Sequence, residues 1–246
     1  MKRFYQTEWQ NIPFNSFANC SSKQFPDALF YNSFYHALFE KYASYAELDT
    51  EWRLTKEEIA EWLVTRLAEG GRVLSVGCGL GYIEQYLWRK HSNLIDLHVQ
   101  DYASDALRWL RQVLPPDRIH HGESCQSHPQ FHMIYLSAVD YALSDVALVK
   151  LLSELRHALM ENCKVIMISA SFLDESPTRR IIQTATDTAK WLLERLTLYN
   201  RGQLWGWQRS KQEYKALMIE AGYSNIEDGF IDTANQHSYW IEGRTP

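Results

Sequence analysis

Residues 73–82, which read VLSVGCGLGY, carry the pattern on which the fold of this chain depends. The segment 73–76 is apolar enough for a short buried strand, and Gly77, Gly79 and Gly81 alternate directly after it. Because glycine has no Cβ, this spacing allows a sharp turn and a close approach of the backbone to a ligand. A helix is predicted from Tyr82, and its free N–H groups favour an anionic or electron-rich ligand.

Strand and helix signals alternate along the chain around this loop. Strands are predicted at residues 72–76, 94–101, 118–121, 131–136 and 164–169, and helices at 82–90, 103–110, 146–160, 178–197 and 210–221. This alternation predicts a parallel sheet with helices on both faces. Two last strands, at 225–231 and 238–241, have no helix between them and are expected to be antiparallel neighbours.

The organisation of the chain changes near residue 55. Thr55 and Glu58 have the spacing of a capping box, so a helix is predicted to begin there. We therefore expect an N-terminal cap at residues 1–54 and a core at residues 55–246. An insertion beside the ligand is expected at about 173–209.

Aromatic residues are concentrated in the N-terminal segment. The chain has 9 Trp, 14 Tyr and 10 Phe, and fourteen of these aromatic residues precede residue 54. Apolar spacing predicts a helix over 27–46. Two interpretations stay open and are compatible: a helical cap packed on the core, or a surface that lines a substrate pocket.

Composition excludes several classes of protein. The chain has 246 residues, 46% of them hydrophobic and 22% charged, with a net charge of −5, which is typical of a folded protein. The negative charge gives no indication of a nucleic-acid or membrane partner. Four separated cysteines without a Cys-x-x-Cys pair, and no apolar leader, predict a cytoplasmic protein without a structural metal.

Asp101 ends the second predicted strand. It lies 20 residues beyond Gly81, a distance suited to a carboxylate that accepts the hydroxyls of a ribose. Asp101 could also cap the helix that follows it, and the two roles are compatible.

The combined pattern resembles the class I S-adenosylmethionine-dependent methyltransferases over roughly residues 55–243. The resemblance implies a Rossmann-like, seven-stranded, mostly parallel sheet with an antiparallel last strand, helices on both faces and an N-terminal helical aromatic cap. A dinucleotide-binding loop would have glycine where this chain has Tyr82. A NAD-dependent dehydrogenase is therefore a less favoured alternative.

The resemblance also implies which residues bind S-adenosylmethionine, whose product is S-adenosylhomocysteine. Gly77, Cys78 and Gly79 would surround its methionine part, Asp101 would hold the ribose, and Tyr102 would lie beside the adenine. The remaining expected contacts come from Ser75, Gly81, Glu123, Ser124 and Ser137. Metal is not expected.

Two positions depart from the family pattern. The family usually has an acidic residue two positions before the first glycine, where this chain has Ser75, and it commonly has Asp where this chain has His132. The missing charge at Ser75 could weaken cofactor binding, or another residue could supply it. A catalytically inactive, methyltransferase-like binding protein therefore remains an alternative.

Candidate catalytic residues follow from their predicted positions near the carboxyl ends of strands, where open α/β sheets bind ligands. These candidates are Asp140, Tyr141, His237 and, on the aromatic cap, His36. The expected reaction is methyl transfer by in-line displacement to a small-molecule or saccharide acceptor, with oxygen favoured and nitrogen second.

Overall fold

The computed structural model of the chain describes residues 2–67, 71–122, 131–173, 196, 202–235 and 237–246. The strands are β1 (Lys2–Gln6), β2 (Glu8–Trp9), β3 (Ile12–Pro13), β4 (Arg72–Val76), β5 (Asp96–Asp101), β6 (Ile119–His121), β7 (Phe131–Ser137), β8 (Leu159–Ser169), β9 (Gln203–Gln208), β10 (Ser224–Asp232) and β11 (His237–Arg244). The helices are α1 (Ala28–Lys41), α2 (Thr50–Val64), α3 (Tyr82–His91), α4 (Asp145–Ala158) and α5 (Lys211–Glu220). Apart from residue 196, the helix predicted at 178–197 lies outside the described residues.

A seven-stranded sheet has the order β10-β11-β8-β7-β4-β5-β6. Strands β4 to β8 pair in parallel, whereas β11 runs antiparallel to both β8 and β10. The predicted fold class is thereby confirmed, including the antiparallel last strand. Because β4 lies between β5 and β7, the loop that follows β4 opens at the centre of the sheet edge.

Helices cover both faces of the sheet. Leu148, Leu152 and Leu155 of α4 pack with Tyr214 and Met218 of α5 in one buried apolar cluster. A second cluster on the opposite face takes its residues from α2, α3 and the turns after β5, namely Ile59, Leu63, Ile83, Leu87, Leu107 and Leu110. Apolar burial against both faces explains why the central strands are almost continuously hydrophobic.

The predicted start of α2 is wrong. The helix begins five residues earlier, at Thr50, where the Asp49 carboxylate accepts a hydrogen bond from Trp52 N at 2.7 Å. Thr55 is a buried residue inside the helix. Asp and Thr are both favoured N-cap residues, so residue type alone does not decide between Asp49 and Thr55 as the start of the helix. The division into a cap and a core stays a prediction, and its boundary at residues 54 and 55 lies inside α2.

The predicted helix over 103–110 is also corrected. Two short 3-10 turns, Ser104–Arg108 and Leu110–Gln112, take its place. Ala106, Leu107 and Leu110 are nevertheless buried, as the apolar spacing predicts. The sequence signal thus identified the buried face but not the type of helix.

The N-terminal segment is more mixed than the sequence predicts. Helix α1 ends at Lys41 rather than near residue 46, and it begins after Asp27, which accepts from Phe30 N at 2.9 Å. Ahead of it, β1 pairs antiparallel with β9, which contains the Trp205–Trp207 segment. This pairing joins residues about 200 positions apart, so local patterns could not reveal it.

Aromatic side chains bind this segment to the core. Phe14 is fully buried and stacks on Trp205 of β9 with a centroid distance of 4.6 Å. Phe30 and Phe34 contact the Phe14 ring edge-to-face, at 5.4 and 6.2 Å. The hydroxyl of Tyr45 donates to Leu80 O at 2.5 Å, which ties the segment to the glycine loop. The cap interpretation is therefore supported by direct packing.

We expect Phe14→Ala to lower the free energy of unfolding by about 3–5 kcal/mol. The substitution leaves a cavity among four aromatic rings, those of Phe17, Phe30, Phe34 and Trp205. Urea unfolding followed by circular dichroism measures this loss. Leu29→Ala on α1 is the control, since Leu29 is largely exposed, and it should change stability little. Equal effects of the two substitutions would contradict the packing described above.

Candidate functional site

A cavity of about 810 Å³ lies at the carboxyl ends of β4, β5 and β7. One side is formed by the glycine loop and by Asp101 at the end of β5. The other side is formed by the N-terminal segment, the residues after β7, and β9. The cavity therefore lies where an open α/β sheet is expected to bind its ligand.

The glycine loop adopts a conformation that other residues would strain. Gly77 and Gly81 have φ angles of +67° and +72°. A Cβ at Gly77 would lie 2.6 Å from a Val139 methyl group, and one at Gly81 would collide with Leu110. A hydrogen bond from Gly77 N to Gln100 O, at 2.8 Å, holds the loop against β5. The backbone is thus exposed to the cavity without intervening side chains.

Asp101 connects the loop to the turn after β5. Its Oδ2 accepts from Gly79 N at 2.7 Å, and its Oδ1 accepts from Ala103 N at 2.8 Å. Burial raises the pKa of this carboxyl, whereas the backbone N–H groups oppose that rise. The 3-10 turn at Ser104–Arg108 has no side-chain cap, so Asp101 stabilises the preceding bend rather than a helix end.

The structure brings most of the other predicted cofactor residues to the same cavity. Its lining includes Ser75, Gly77, Cys78, Gly79, Gly81, Tyr102 and Ser137. The Ser137 hydroxyl is buried and has no hydrogen-bond partner among the described residues. Glu123 and Ser124 lie outside the described residues, and their assignments stay predictions.

The structure also brings a carboxylate to the position where the sequence shows a missing one. Glu84, on the first turn of α3, is 2% exposed and lines the cavity. Its Oε1 accepts from the hydroxyls of Ser75 and Tyr135, each at 2.6 Å. Our sequence analysis missed Glu84, because an acidic residue in the first turn of a helix is common and reveals no inward direction.

The candidate catalytic residues after β7 separate into two environments. Tyr141 lines the cavity, and burial raises the pKa of its hydroxyl above the ordinary value. Asp140 is not among the lining residues; its Oδ2 accepts from the hydroxyls of Ser169, at 2.8 Å, and Tyr214. The fully buried Arg209 donates to Asp140 O at 2.7 Å. This network gives Asp140 a structural environment.

The two candidate histidines lie away from the cavity lining. His237 is mostly exposed at the start of β11, with Nδ1 2.6 Å from Asp232 Oδ1. His36 is mostly exposed on α1 and lies 3.3 Å from Glu40. The described lining contains no histidine. The geometry of the described residues therefore offers neither histidine direct access to a ligand in the cavity.

Aromatic rings form the far wall of the cavity. Tyr141 lies nearly parallel to Trp205 at a centroid distance of 6.1 Å, and Phe4 meets Tyr141 edge-to-face at 5.6 Å. Tyr31 of α1 contacts both Trp205 and Tyr102, at 5.9 and 6.0 Å. The N-terminal segment thus packs on the core and also lines the cavity. That this part of the cavity binds a substrate stays a prediction.

The described residues include neither a cluster of metal-binding side chains nor a helix that could span a membrane. No group of three or more His, Cys, Asp or Glu side chains in these ranges is arranged to hold a metal ion. Within the same part of the chain, no helix is long and apolar enough to cross a membrane.

Among the solved structures with the same fold are three methyltransferases. A candidate O-methyltransferase from Nostoc punctiforme PCC 73102 has 17% identity and a TM-score of 0.59, over 93% of this chain and 63% of that one. Human N-acetylserotonin methyltransferase with S-adenosylmethionine has 16% identity and a TM-score of 0.54, over 89% and 56%. Magnesium protoporphyrin IX methyltransferase from Synechocystis PCC 6803, with S-adenosylhomocysteine, has 14% identity and a TM-score of 0.60, over 89% of this chain and 98% of that one.

The chain thus spans less than two thirds of the length of the Nostoc and human proteins. A search of curated protein sequences found no match. A sequence profile of the O-methyltransferase domain matches residues 23–224, which is well over half of the chain. Together with the glycine loop and the sheet order, this match shows that the chain belongs to the O-methyltransferase domain family of S-adenosylmethionine-dependent methyltransferases.

Proposed function

We propose that this chain transfers a methyl group from S-adenosylmethionine to an oxygen atom of a small, flat, largely apolar acceptor. The observation that carries the proposal is one cavity whose lining has two chemically unlike parts, which we call its two ends. The glycine loop and Asp101 form one end, and the rings of Phe4, Tyr141 and Trp205 form the other.

The residues at the first end fit the cofactor. The Asp101 oxygens accept backbone N–H groups, among them those of Gly79 and Ala103, and a carboxylate has further lone pairs that can accept a ribose hydroxyl. The unpartnered Ser137 hydroxyl offers a further polar contact. The cofactor supplies a methyl group on a sulfonium, so the protein has to orient the acceptor and exclude water.

The residues at the second end favour a ring-shaped acceptor. Aromatic pairs contribute about 0.5–1.5 kcal/mol beyond the burial of their area, so a flat ring is stabilised against Tyr141 and Trp205. Burial raises the pKa of the Tyr31 and Tyr141 hydroxyls. At neutral pH they are therefore hydrogen-bond donors to an acceptor oxygen rather than bases. A saccharide, with many hydroxyls, would require more polar partners than this wall offers.

Two alternatives from the sequence, an inactive methyltransferase-like binding protein and a NAD-dependent dehydrogenase, are less favoured. The inactive-protein alternative was motivated by the aromatic cap and by the charge missing at Ser75, and Glu84 supplies a carboxylate within hydrogen-bond distance of that side chain. The family match gives no support to the dehydrogenase alternative.

We expect Asp101→Asn to weaken S-adenosylhomocysteine binding on the order of 10- to 100-fold, because a charged acceptor is lost. Isothermal titration calorimetry measures this change. Asp105→Asn, an exposed carboxylate in the following turn, is the matched control and should bind as the wild type does. An unchanged dissociation constant for Asp101→Asn would exclude Asp101 from the cofactor site.

A direct test of the reaction incubates the protein and S-adenosylmethionine with separate panels of phenols and of mono- and oligosaccharides. Mass spectrometry detects methylated products, and we expect them from the phenols. Product from the saccharides alone would overturn the proposed acceptor class. Absence of cofactor binding by the wild type would overturn the proposed function itself.

We expect Phe4→Ala to raise the acceptor KM about 2- to 10-fold, because one ring of the far wall is removed. The S-adenosylhomocysteine dissociation constant should stay unchanged, since Phe4 lies at the other end. Phe230→Ala removes an exposed ring of β10 that does not line the cavity, and it serves as the control. A loss of cofactor affinity in Phe4→Ala would contradict the division into two ends.

A further inference from the structure

Two side chains of opposite charge, Glu84 of α3 and Lys56 of α2, line the same cavity. Neither belongs to the glycine loop, and neither residue is implied by the sequence pattern of the family. The packing of α2 and α3 in this chain therefore places one negative and one positive side chain at the cavity.

Two hydrogen bonds hold the Glu84 carboxylate at one of its two oxygens. Both hydroxyl donors, from Ser75 and Tyr135, reach Oε1, and Oε2 takes part in neither bond. Burial raises the pKa of the Glu84 carboxyl, whereas these two hydrogen bonds and the charge of Lys56 oppose the rise. The carboxylate thus lies one hydrogen bond from Ser75 and keeps an oxygen for another donor.

Lys56 carries the complementary charge without a partner of its own. Among the described residues it makes no hydrogen bond and no ion pair, although its Nζ lies 5.8 Å from the centre of the Trp52 ring. Burial lowers the pKa of Lys56 to about 8, and the charge of Glu84 opposes this effect. At neutral pH the ammonium is therefore mostly protonated.

The buried Glu84 carboxylate and the half-buried Lys56 ammonium are near each other but not joined, so they lose hydration without gaining a direct ion pair. A ligand that carries both charges compensates this cost, because each of its groups meets a fixed opposite charge. An α-amino acid has this form, with an ammonium and a carboxylate on one carbon.

We propose that Glu84 binds the α-ammonium group and Lys56 the α-carboxylate group at the amino-acid end of the cofactor. This proposal rests on the proposed function, since it concerns the same cavity. It also explains how the chain functions with Ser75 where the family pattern has an acidic residue: the carboxylate comes from the next helix.

Calorimetric titration with two ligands tests the assignment. S-adenosylhomocysteine has the amino-acid end, whereas 5′-methylthioadenosine shares the nucleoside and lacks that end. We expect Glu84→Gln and Lys56→Met each to weaken S-adenosylhomocysteine binding on the order of 10- to 100-fold. Affinity for 5′-methylthioadenosine should stay within about twofold of the wild type.

A charged pair elsewhere in the chain provides matched controls. Glu242 of β11 is also 2% exposed, and its Oε2 lies 3.6 Å from Lys164 Nζ, outside the cavity lining. Glu242→Gln and Lys164→Met make the same chemical changes in a pair with a buried carboxylate and a half-buried ammonium. Neither control should alter the affinity for S-adenosylhomocysteine.

A rescue variant separates ligand binding from stability. Ser75→Asp in the Glu84→Gln background returns a carboxylate to the same place and should regain most of the lost affinity. If Glu84→Gln fails to fold, Lys56→Met decides the test alone.

Unchanged S-adenosylhomocysteine affinity in Glu84→Gln or Lys56→Met would overturn the assignment. An equal loss for both ligands would do so too, because it would indicate general damage to the cavity. Failure of the wild type to bind either ligand would instead overturn the proposed function.

Discussion

The left-handed backbone of the glycine loop is the constraint on which the site depends. Gly77 and Gly81 accept the close approach of Val139 and Leu110, so the residues after β7 and the turn after β5 both pack against the loop. Asp101 adds a hydrogen bond to Gly79 from the neighbouring strand. Three separate segments thereby converge on one short stretch, and the cavity is the space that remains above them.

Charge in the cavity is supplied by tertiary neighbours rather than by the loop itself. The carboxylate near Ser75 belongs to α3, and the hydroxyls of Ser75 and Tyr135 orient it from β4 and β7. Asp140 shows the contrast, since a similar pair of hydroxyl donors holds its carboxylate away from the cavity lining. Glu84 and Asp140 thus each accept two hydroxyl donors, but only Glu84 lines the cavity.

The aromatic N-terminal segment both packs on the core and lines the cavity. Phe14 and Phe34 pack inward, whereas Phe4 and Tyr31 share the cavity wall with Tyr141. Pairing of β1 with β9 brings Trp205 to both groups of rings. One layer of rings therefore closes the cavity and buries the cap, which accounts for the high aromatic content of so short a segment.

The sequence alone determined the alternating sheet, the glycine loop, the antiparallel end and many of the residues that line the cavity. These features depend on local periodicity and on backbone freedom, which neighbouring residues encode. Tertiary structure alone decided the start of α2 directly after Asp49, the β1–β9 pairing, the inward direction of Glu84 and the outward position of His237. Each depends on contacts between residues distant in the chain, whose packing energy no local pattern contains.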